Sequence, residues 1–528
     1  MNKKHEKKDN LEETLVLAVD HSFLYEKLEG IVDSENLTDK ELIVEAYTAS
    51  TTGKFSVGMQ EIPEAKKPGF IVRPGSKEEI QEIVRLANQY KVPIIPVGAM
   101  TSAYYETTPV EGAIMLDFSR MKKIEIDEES MTITLEPGVT WAQAYRELAI
   151  KGYWVSAQAS PGSVSIVGTT SQSGTHMPYD KYPTVFAGFY SDLTLGMEVV
   201  LPTGELLITG SAALPGAKPH VERAYGPGVA HIFLAAQGTL GIVVKQTLPL
   251  WRIPEVRHIV TGLFTHENYG GLSRALQKIM YEQFEGPVWI ERLSAFYDGT
   301  KRQEWELYVQ LYGRKAIVEA LRKFSEEIIL KEGGTLCSTP RILEPENTAS
   351  PQMYEEWIFW RPRANSIISP LMDVAVGPAS DTGVPIGGIR AEAPYQKMPE
   401  LYAAMLKLFA KHGVPISRIR NGMAGVRMRS TNRQNTLLSY YYDPKDPEEV
   451  KRAKAINEEW PQIYAKITGD KYTGARSFGS IPYRFSPSLA KTAMPMLGEY
   501  YTLLVKLKRM LDPNRIMNPG KLMDIEPY

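Results

Sequence analysis

FIVRPGSKEEIQEIVRLANQYKVPIIPVG, residues 70 to 98, reads as strand, helix, strand. Phe70 to Val72 is a short apolar strand closed by Arg73-Pro74-Gly75. Ser76 stands as an N-cap, and Glu79 three residues on completes a capping box. Ile80, Ile83, Val84 and Ala87 then recur at the spacing of one helix face. Val92 to Val97 is the next buried strand, so the unit is β-α-β and delivers Gly98-Ala99-Met100-Thr101-Ser102 to the loop after it. Small residues there let backbone N–H groups approach a diphosphate, and Thr101 and Ser102 add hydroxyls. A five-residue loop with one glycine is, on local sequence alone, more often an ordinary strand exit than a phosphate cradle. It is not a nicotinamide fingerprint, because G-x-G-x-x-G is absent.

Outward from this unit, Ala113 to Asp117, Ile124 to Ile126 and Met131 to Glu136 read as strands, followed by a helix from Thr140 to Ile150. SPGSVSIVGTTSQSGT, residues 160 to 175, is dense in Gly, Ser and Thr. It suits backbone wrapped around a flat polar ligand, or a solvated surface loop. Leu193 to Leu201 turns at Pro202-Thr203-Gly204 and returns as Glu205 to Thr209, a hairpin by its turn chemistry. Gly238-Thr239-Leu240-Gly241 leads into a strand, Ile242 to Thr247. Beyond Pro254 the pattern changes to strands (Trp305 to Tyr312, Leu437 to Tyr442) alternating with amphipathic helices (Ala316 to Leu330, Glu400 to His412). That region reads as a separate α+β unit. The terminal LDPNRIMNPGKL is a helix stopped at Asp-Pro and followed by an extended tail.

Composition narrows the function. The 60 basic and 62 acidic residues leave a formal charge of −2, too little positive field to hold a nucleic acid. The single cysteine, Cys337, excludes an intrachain disulfide and a cysteine-ligated iron–sulfur cluster built by this chain alone. No apolar run approaches a membrane span, and the first residues lack a signal h-region, so a cytoplasmic protein is the default expectation. No metal site is expected. A homodimer is the base-rate expectation for assembly.

The stretches FIVRPGSKEEIQEIVRLANQYKVPIIPVG, ITLEPGVTWAQAYREL, LGMEVVLPTGELLITGSAALPG, AAQGTLGIVVKQTLPL and LDPNRIMNPGKL resemble, in order and wording, the flavoprotein family of vanillyl-alcohol oxidase and p-cresol methylhydroxylase. SDLTLGMEVVLPTGELLITGSAALPG is most similar to the branch acting on 4-substituted phenols. The resemblance implies an α+β fold in which a PCMH-type FAD-binding domain of two subdomains is covered by an α+β cap, an antiparallel sheet flanked by helices. It implies an N-terminal helical extension over 1–65, the FAD-binding domain over 66–254, the cap over 255–478 and a C-terminal segment, 479–528, returning to the FAD domain.

Carried onto this sequence, the family's FAD-binding positions fall on Pro96, Val97, Gly98, Ala99, Met100, Thr101 and Ser102; on Ser160, Pro161, Gly162, Ser165, Val167, Gly168, Thr169, Ser173 and Gly174; and on Gly241, Ile242, Val243, Asn518 and Lys521. Phenol-oxidising relatives hold the phenolate oxygen with two tyrosines and an arginine, which fall on Tyr104, Tyr483 and Arg484, with a further tyrosine at Tyr179. A Tyr-Arg dipeptide can bind an oxyanion through one O–H and a fixed fork of N–H donors. Three departures stand out. The diphosphate loop carries fewer glycines than the family's. Ser160 occupies the place of an aspartate that assists near the flavin, and a serine cannot serve as a carboxylate base near neutral pH. None of the eight histidines lies in the aromatic cap strand, where covalent attachment would fall near Thr436; His412 reads as a helix C-cap, and Tyr440, Tyr441 and Tyr442 fit strand packing as well as attachment.

The implied function is hydride abstraction from the benzylic carbon of a 4-alkylphenol or 4-hydroxybenzyl alcohol, with dissociable FAD as acceptor and a separate molecule, an electron-acceptor protein among the candidates, carrying electrons onward. The alternatives are a 2-hydroxy-acid or polyol dehydrogenase, in which Arg484 clamps a carboxylate, and a non-redox flavoprotein or a subunit that needs a partner. Trp357 and Trp360 either line the substrate pocket or pack in the core.

Overall fold

The structure, a computed structural model, describes residues 20–48, 66–100, 106–155, 164–173, 193–223, 225–253, 255–285, 290–298, 304–337, 386–426, 433–443, 446–469, 491 and 494–524. Three large sheets organise them. The first holds β1 (Leu37–Thr38), β2 (Phe70–Val72), β3 (Ile94–Val97) and β4 (Ile114–Asp117) in the order β1-β2-β4-β3. β2, β4 and β3 run parallel. The expected β-α-β unit is present with one difference: β4 lies between its two strands, and the second begins at Ile94 because Pro93 has no N–H to give a ladder. β1, from the segment expected to be helical, adds antiparallel to β2 after helix α1 (His21–Val32) and before α2 (Glu41–Thr48).

Helix α3 (Lys77–Tyr90) joins β2 to β3 and buries Ile80, Ile83, Val84 and Ala87, the stripe its spacing predicts. Ser76 caps it by accepting from the Glu79 N–H at 3.1 Å, while the Glu79 carboxylate reaches one residue further back than a capping box requires, to Gly75 N at 2.8 Å. Such a cap contributes roughly 1 kcal/mol.

The second sheet is antiparallel, β5 (Ile124–Asp127), β6 (Thr132–Leu135), β8 (Gly196–Val200), β9 (Leu206–Ile208) and β10 (Ile242–Pro249), in the order β5-β6-β10-β8-β9. β7 (Tyr153–Trp154) pairs separately with β11 (Trp251–Arg252). Gly204 takes a φ of +82°, the left-handed turn that brings β8 back as β9. Two helices belong to this region, α4 (Trp141–Ile150), capped by Thr140, and α5 (Ile166–Ser173). Val200, Ile242 and Val244 of the second sheet share one core with α1, α3 and the first sheet.

The third sheet has seven antiparallel strands: β12 (Val256–Thr265), β13 (Ile290–Asp298), β14 (Glu304–Gly313), β15 (Thr335–Cys337), β16 (Ile386–Pro394), β17 (Ile419–Val426) and β18 (Arg433–Tyr441). Helices α6 (Tyr269–Glu285), α7 (Lys315–Lys331), α8 (Met398–Lys411) and α9 (Pro447–Thr468) cover one face. Strand alternation sets that face: Trp305, Leu307, Val309 and Leu311 of β14 enter the helix-side core together with Leu438 and Tyr440 of β18.

Helix α10 (Glu499–Leu511) ends at Asp512, and the chain then returns to the first sheet. Ile94 N donates to Ile516 O at 2.7 Å and Asn518 N to Ile94 O at 2.8 Å, a parallel addition to β3. A buried ion pair fixes this return. Lys508 Nζ donates to Asp512 Oδ2 at 2.5 Å, to Met517 O at 2.8 Å and to Thr239 O at 2.8 Å. The Asp512 carboxylate accepts in turn from Ile516 N and Met517 N. Both side chains are almost wholly buried, at 3% and 0% exposure, so deleting the cation strands a desolvated carboxylate. Lys508→Met is expected to lower the unfolding free energy by about 3–5 kcal/mol, read as a drop in urea midpoint. Lys323→Met, at an exposed pair, is expected to change it by less than about 0.5 kcal/mol. Equal midpoints for the two variants would show that the tail is held by other contacts.

Candidate functional site

Four segments meet at the end of β3. Gly98 follows directly on that strand and lies against the start of α5. A Cβ on Gly98 would sit 3.1 Å from Ser165 Oγ and 3.7 Å from the Gly168 Cα, and one on Gly168 would also come within 3.1 Å of Ser165 Oγ. Two glycines are therefore needed for the loop and the helix to touch. Ser165 Oγ donates to Pro137 O at 2.6 Å and accepts from Gly168 N at 2.9 Å, which makes it the cap of α5. The first turn of that helix faces the loop with the positive end of its dipole.

Residues 166 to 173, expected as backbone wrapped around a ligand or as a surface loop, form this helix instead. Val167 and Thr169 are buried on it, and Ser173 is its last residue. The hydroxyl-rich composition is used inward: Thr170 Oγ1 donates to Gln246 Oε1 at 2.9 Å, and Gln246 Nε2 to Thr194 Oγ1 at 2.8 Å, tying α5 across β10 to the residues before β8.

The loop's shortage of glycine has a structural answer. Met100 adopts a φ of +53°, the left-handed conformation that glycine takes freely. The cost to a side-chain-bearing residue is about 1–2 kcal/mol. Pro96 and Val97 form the strand end before it, and Val97 is buried.

The third segment, 235 to 239, crosses over β3. A Cβ on Gly238 would lie 2.5 Å from Pro96 Cγ. Ala235 N donates to Thr170 O at 3.0 Å and Gln237 N to Ser171 O at 2.8 Å, so the crossing is hung from α5. Gly241 allows close passage over Val199 and Val200, while Ile242 and Val243 open β10 with their side chains in two hydrophobic cores. Those two residues offer a cofactor no more than backbone.

The C-terminal segment closes the cluster. Asn518 Nδ2 donates to Glu106 O at 2.9 Å and to Gln237 O at 2.6 Å, and Lys521 Nζ donates to Thr108 O at 3.0 Å. Burial pushes the Lys521 amine down to about 8, opposed by the Glu106 and Asp524 carboxylates. Several polar atoms here are buried without a hydrogen-bond partner: Gln237 Oε1 and Nε2, Asn518 Oδ1 and Thr108 Oγ1. Each such group costs on the order of 1–3 kcal/mol when left unmade. A cation, hydroxyl and amide groups, and a two-glycine approach between loop and helix fit a dinucleotide with a diphosphate and a polyol chain. Glu106, Thr108 and Gln237 were not singled out in the sequence. Gln237 is visible there only as the residue before Gly238 in AAQGTLG.

The structure brings together Pro96, Val97, Gly98, Ala99, Met100, Ser165, Gly168, Asn518 and Lys521. Tyr104, Tyr179, Tyr483, Arg484, Thr101, Ser102, Ser160, Pro161, Gly162, Gly174, Trp357 and Trp360 lie outside the described residues. In the third sheet, Thr436 is fully buried on the helix side, where its hydroxyl meets the Tyr269 hydroxyl and Gln434 Nε2 donates to that tyrosine at 2.8 Å. Tyr440 and Tyr442 are core residues, and His412 ends α8 with Nε2 2.9 Å from Glu459 Oε1. His412 thus stands at the helix end as expected, and of the two readings for the strand tyrosines Tyr440 and Tyr442 show packing. Among the described residues there is no metal-binding cluster, and no helix is long and apolar enough to cross a membrane.

Comparison with known proteins agrees with this geometry. The FAD binding domain family matches residues 68–210, and the family of FAD linked oxidases, C-terminal domain, matches residues 494–522. The chain is 24% identical over 492 residues to the glycolate oxidase subunit GlcD of Bacillus subtilis, covering 90% of this chain and 94% of that one. It is 24% identical over 526 residues to the 4-cresol dehydrogenase [hydroxylating] flavoprotein subunit of Pseudomonas putida, covering 92% and 93%. The solved structure of 4-ethylphenol oxidase from Gulosibacter chungangensis superposes with a TM-score of 0.75 at 19% identity, covering 96% of this chain and 97% of that one. The two matched families take in the strand, loop and helix and the returning C-terminal segment, while the crossing at 235–239 lies between them. The chain carries an FAD binding domain over 68–210 and the C-terminal element of FAD linked oxidases over 494–522; it is an FAD-linked oxidoreductase, and FAD is its cofactor.

Proposed function

We propose that this oxidoreductase oxidises 4-substituted phenols at the benzylic carbon. The observation that carries the reading is the retention of Tyr104, Tyr483 and Arg484, with Tyr179, at the positions where phenol-oxidising relatives hold the phenolate oxygen. The likeness in fold to 4-ethylphenol oxidase and the likeness in sequence to the 4-cresol dehydrogenase flavoprotein subunit support it.

FAD, when bound, supplies the two-electron acceptor. The protein's task is to hold the substrate as its phenolate, whose negative oxygen raises electron density at the para carbon. Arg484 contributes a permanent charge and a planar fork of donors, and Tyr104 and Tyr483 each contribute one O–H. Each charge-assisted bond contributes on the order of 2 kcal/mol. With Ser160 in the aspartate's place, charge stabilisation at the oxygen carries the activation without a carboxylate base there. Gly98 and Ser165 would bring backbone N–H groups to the FAD diphosphate, Gly168 would leave room for the approach, Lys521 would supply its positive charge, and Asn518 would tie the surrounding segments together. Reoxidation by a separate electron-carrying protein is the corresponding reading for partners, since the Pseudomonas putida relative is a flavoprotein subunit.

A second reading, oxidation of a 2-hydroxy acid, is favoured by Ser160 and by the glycolate oxidase relative. There Arg484 would clamp the substrate carboxylate.

FAD is held without a covalent bond in this reading, because the side chain at the attachment position, Thr436, is committed to the Tyr269 hydroxyl inside the cap core. Acid precipitation should leave the yellow colour in the supernatant, and a yellow pellet would contradict this. Under anaerobic rapid mixing, a 4-alkylphenol or 4-hydroxybenzyl alcohol should bleach the flavin absorbance, whereas D-lactate and glycolate should not. The reverse pattern selects the hydroxy-acid reading. Arg484→Ala should lower kcat/KM for the phenol roughly 10- to 100-fold and raise the pH at which phenol binding is maximal, because the substrate must then ionise without help. Unchanged kinetics would remove Arg484 from the site.

A further inference from the structure

Gln237 combines features that a structural side chain does not show together. It is 4% exposed, yet both its amide atoms lack a hydrogen-bond partner among the described residues. Its backbone sits at a φ of +55°, between Ala235 at +59° and Gly238 at +70°. Residues with side chains hold the left-handed region only where their surroundings force it, and such strain collects at ligand clamps. What forces it here is visible: Gln237 N is held by Ser171 O on α5, and Gln237 O by Asn518 Nδ2. Main-chain bonds from both sides thus fix the residue while its side chain is left unspent.

Its surroundings identify the chemistry. Asn518, itself 1% exposed, also has an unpartnered Oδ1, and its amide nitrogen links Gln237 to Glu106. Next along sit the unpartnered Thr108 hydroxyl and the buried Lys521 ammonium, which donates to Thr108 O. Gly238 touches Pro96, at the entry of the Gly98 loop, and Glu106 lies just past its exit. The Gln237 main chain is therefore tied to both ends of the loop that would take the diphosphate, through Gly238 on Pro96 and through Asn518 on Glu106, in a cluster that holds Lys521 and both donors and acceptors left unspent. An anion alone would call for donors only. A hydroxyl chain next to an anion uses both.

We propose that the Gln237 carboxamide is a direct cofactor contact, pairing with the diphosphate and the adjoining polyol hydroxyls of FAD and sharing that stretch with Asn518 Oδ1. The proposal rests on FAD binding in this lobe and adds to it a residue outside the glycine-bearing positions carried over from the family. Nε2 donates to a phosphate or hydroxyl oxygen, and Oε1 accepts from a hydroxyl.

The physical consequence is a pair of effects with opposite sign. A side chain that is buried and unpartnered in the FAD-free protein destabilises that form, so an apolar isostere should relieve it while weakening FAD. Apoprotein of wild type, Gln237→Met and Gln237→Glu would be titrated with FAD by fluorescence quenching, and each apoprotein melted in the absence of FAD. Gln237→Met should raise the FAD dissociation constant roughly 10- to 100-fold, with an apoprotein melting temperature equal to or above wild type. Gln237→Glu should bind FAD more weakly still, because its carboxylate faces the diphosphate. A lowered apoprotein melting temperature with unchanged FAD affinity would mark a structural residue and overturn the inference, as would Gln237→Glu binding as tightly as wild type. Wild-type protein that takes up no FAD at all would instead overturn the family reading on which the inference rests.

Discussion

The site depends on one constraint, the return of the C-terminal segment to the first sheet. Asn518 sits 412 positions beyond Glu106 and 281 beyond Gln237, yet its amide nitrogen donates to the carbonyls of both. No local propensity can produce such a junction. It needs α10 to stop at Asp512, the chain to turn there, and Ile516 to Asn518 to run beside Ile94. The Lys508–Asp512 pair meets that need by capturing the carbonyls of Thr239 and Met517 with one ammonium. One buried cation therefore links the crossing segment, the C-terminal turn and the end of α10.

That arrangement explains how tolerance and strain are distributed. β3 buries Ile94, Ile95 and Val97, which fixes its register, whereas the loop it feeds departs from regular geometry at Met100. Strain recurs at Ala235, Gln237 and Asn518, all within the same cluster. Lys91 and Met131 show that the left-handed region is also used at an ordinary helix cap and turn; what sets the cluster apart is that Met100, Ala235, Gln237 and Asn518, from three remote segments, take it together.

Much of this architecture is legible in the sequence because it is periodic. The Ile80, Ile83, Val84, Ala87 stripe, the Thr203-Gly204 turn and the alternation along β14 each follow from a local rule, and each is where the rule puts it. The insertion of β4 between β2 and β3 is not local, and strand order carries no signature within a single strand. Residues 166 to 173 illustrate a different limit. Glycine and hydroxyl content argues against a helix, but Ser165 caps it and Thr170 bonds inward to Gln246, so tertiary contacts outweigh propensity. Gln237 was hidden for a third reason, since an unpartnered amide is a property of its surroundings. The family resemblance, by contrast, rested on motif wording and pointed to the same segments that the geometry joins.

Hydrogen exchange with and without FAD tests the central claim most directly. The account predicts that FAD slows exchange together in 98–100, 106–108, 165–171, 235–243 and 516–521, segments remote in sequence and joined at the end of β3. Protection confined to one of these segments, or centred on the helix-covered face of the seven-stranded sheet, would contradict it.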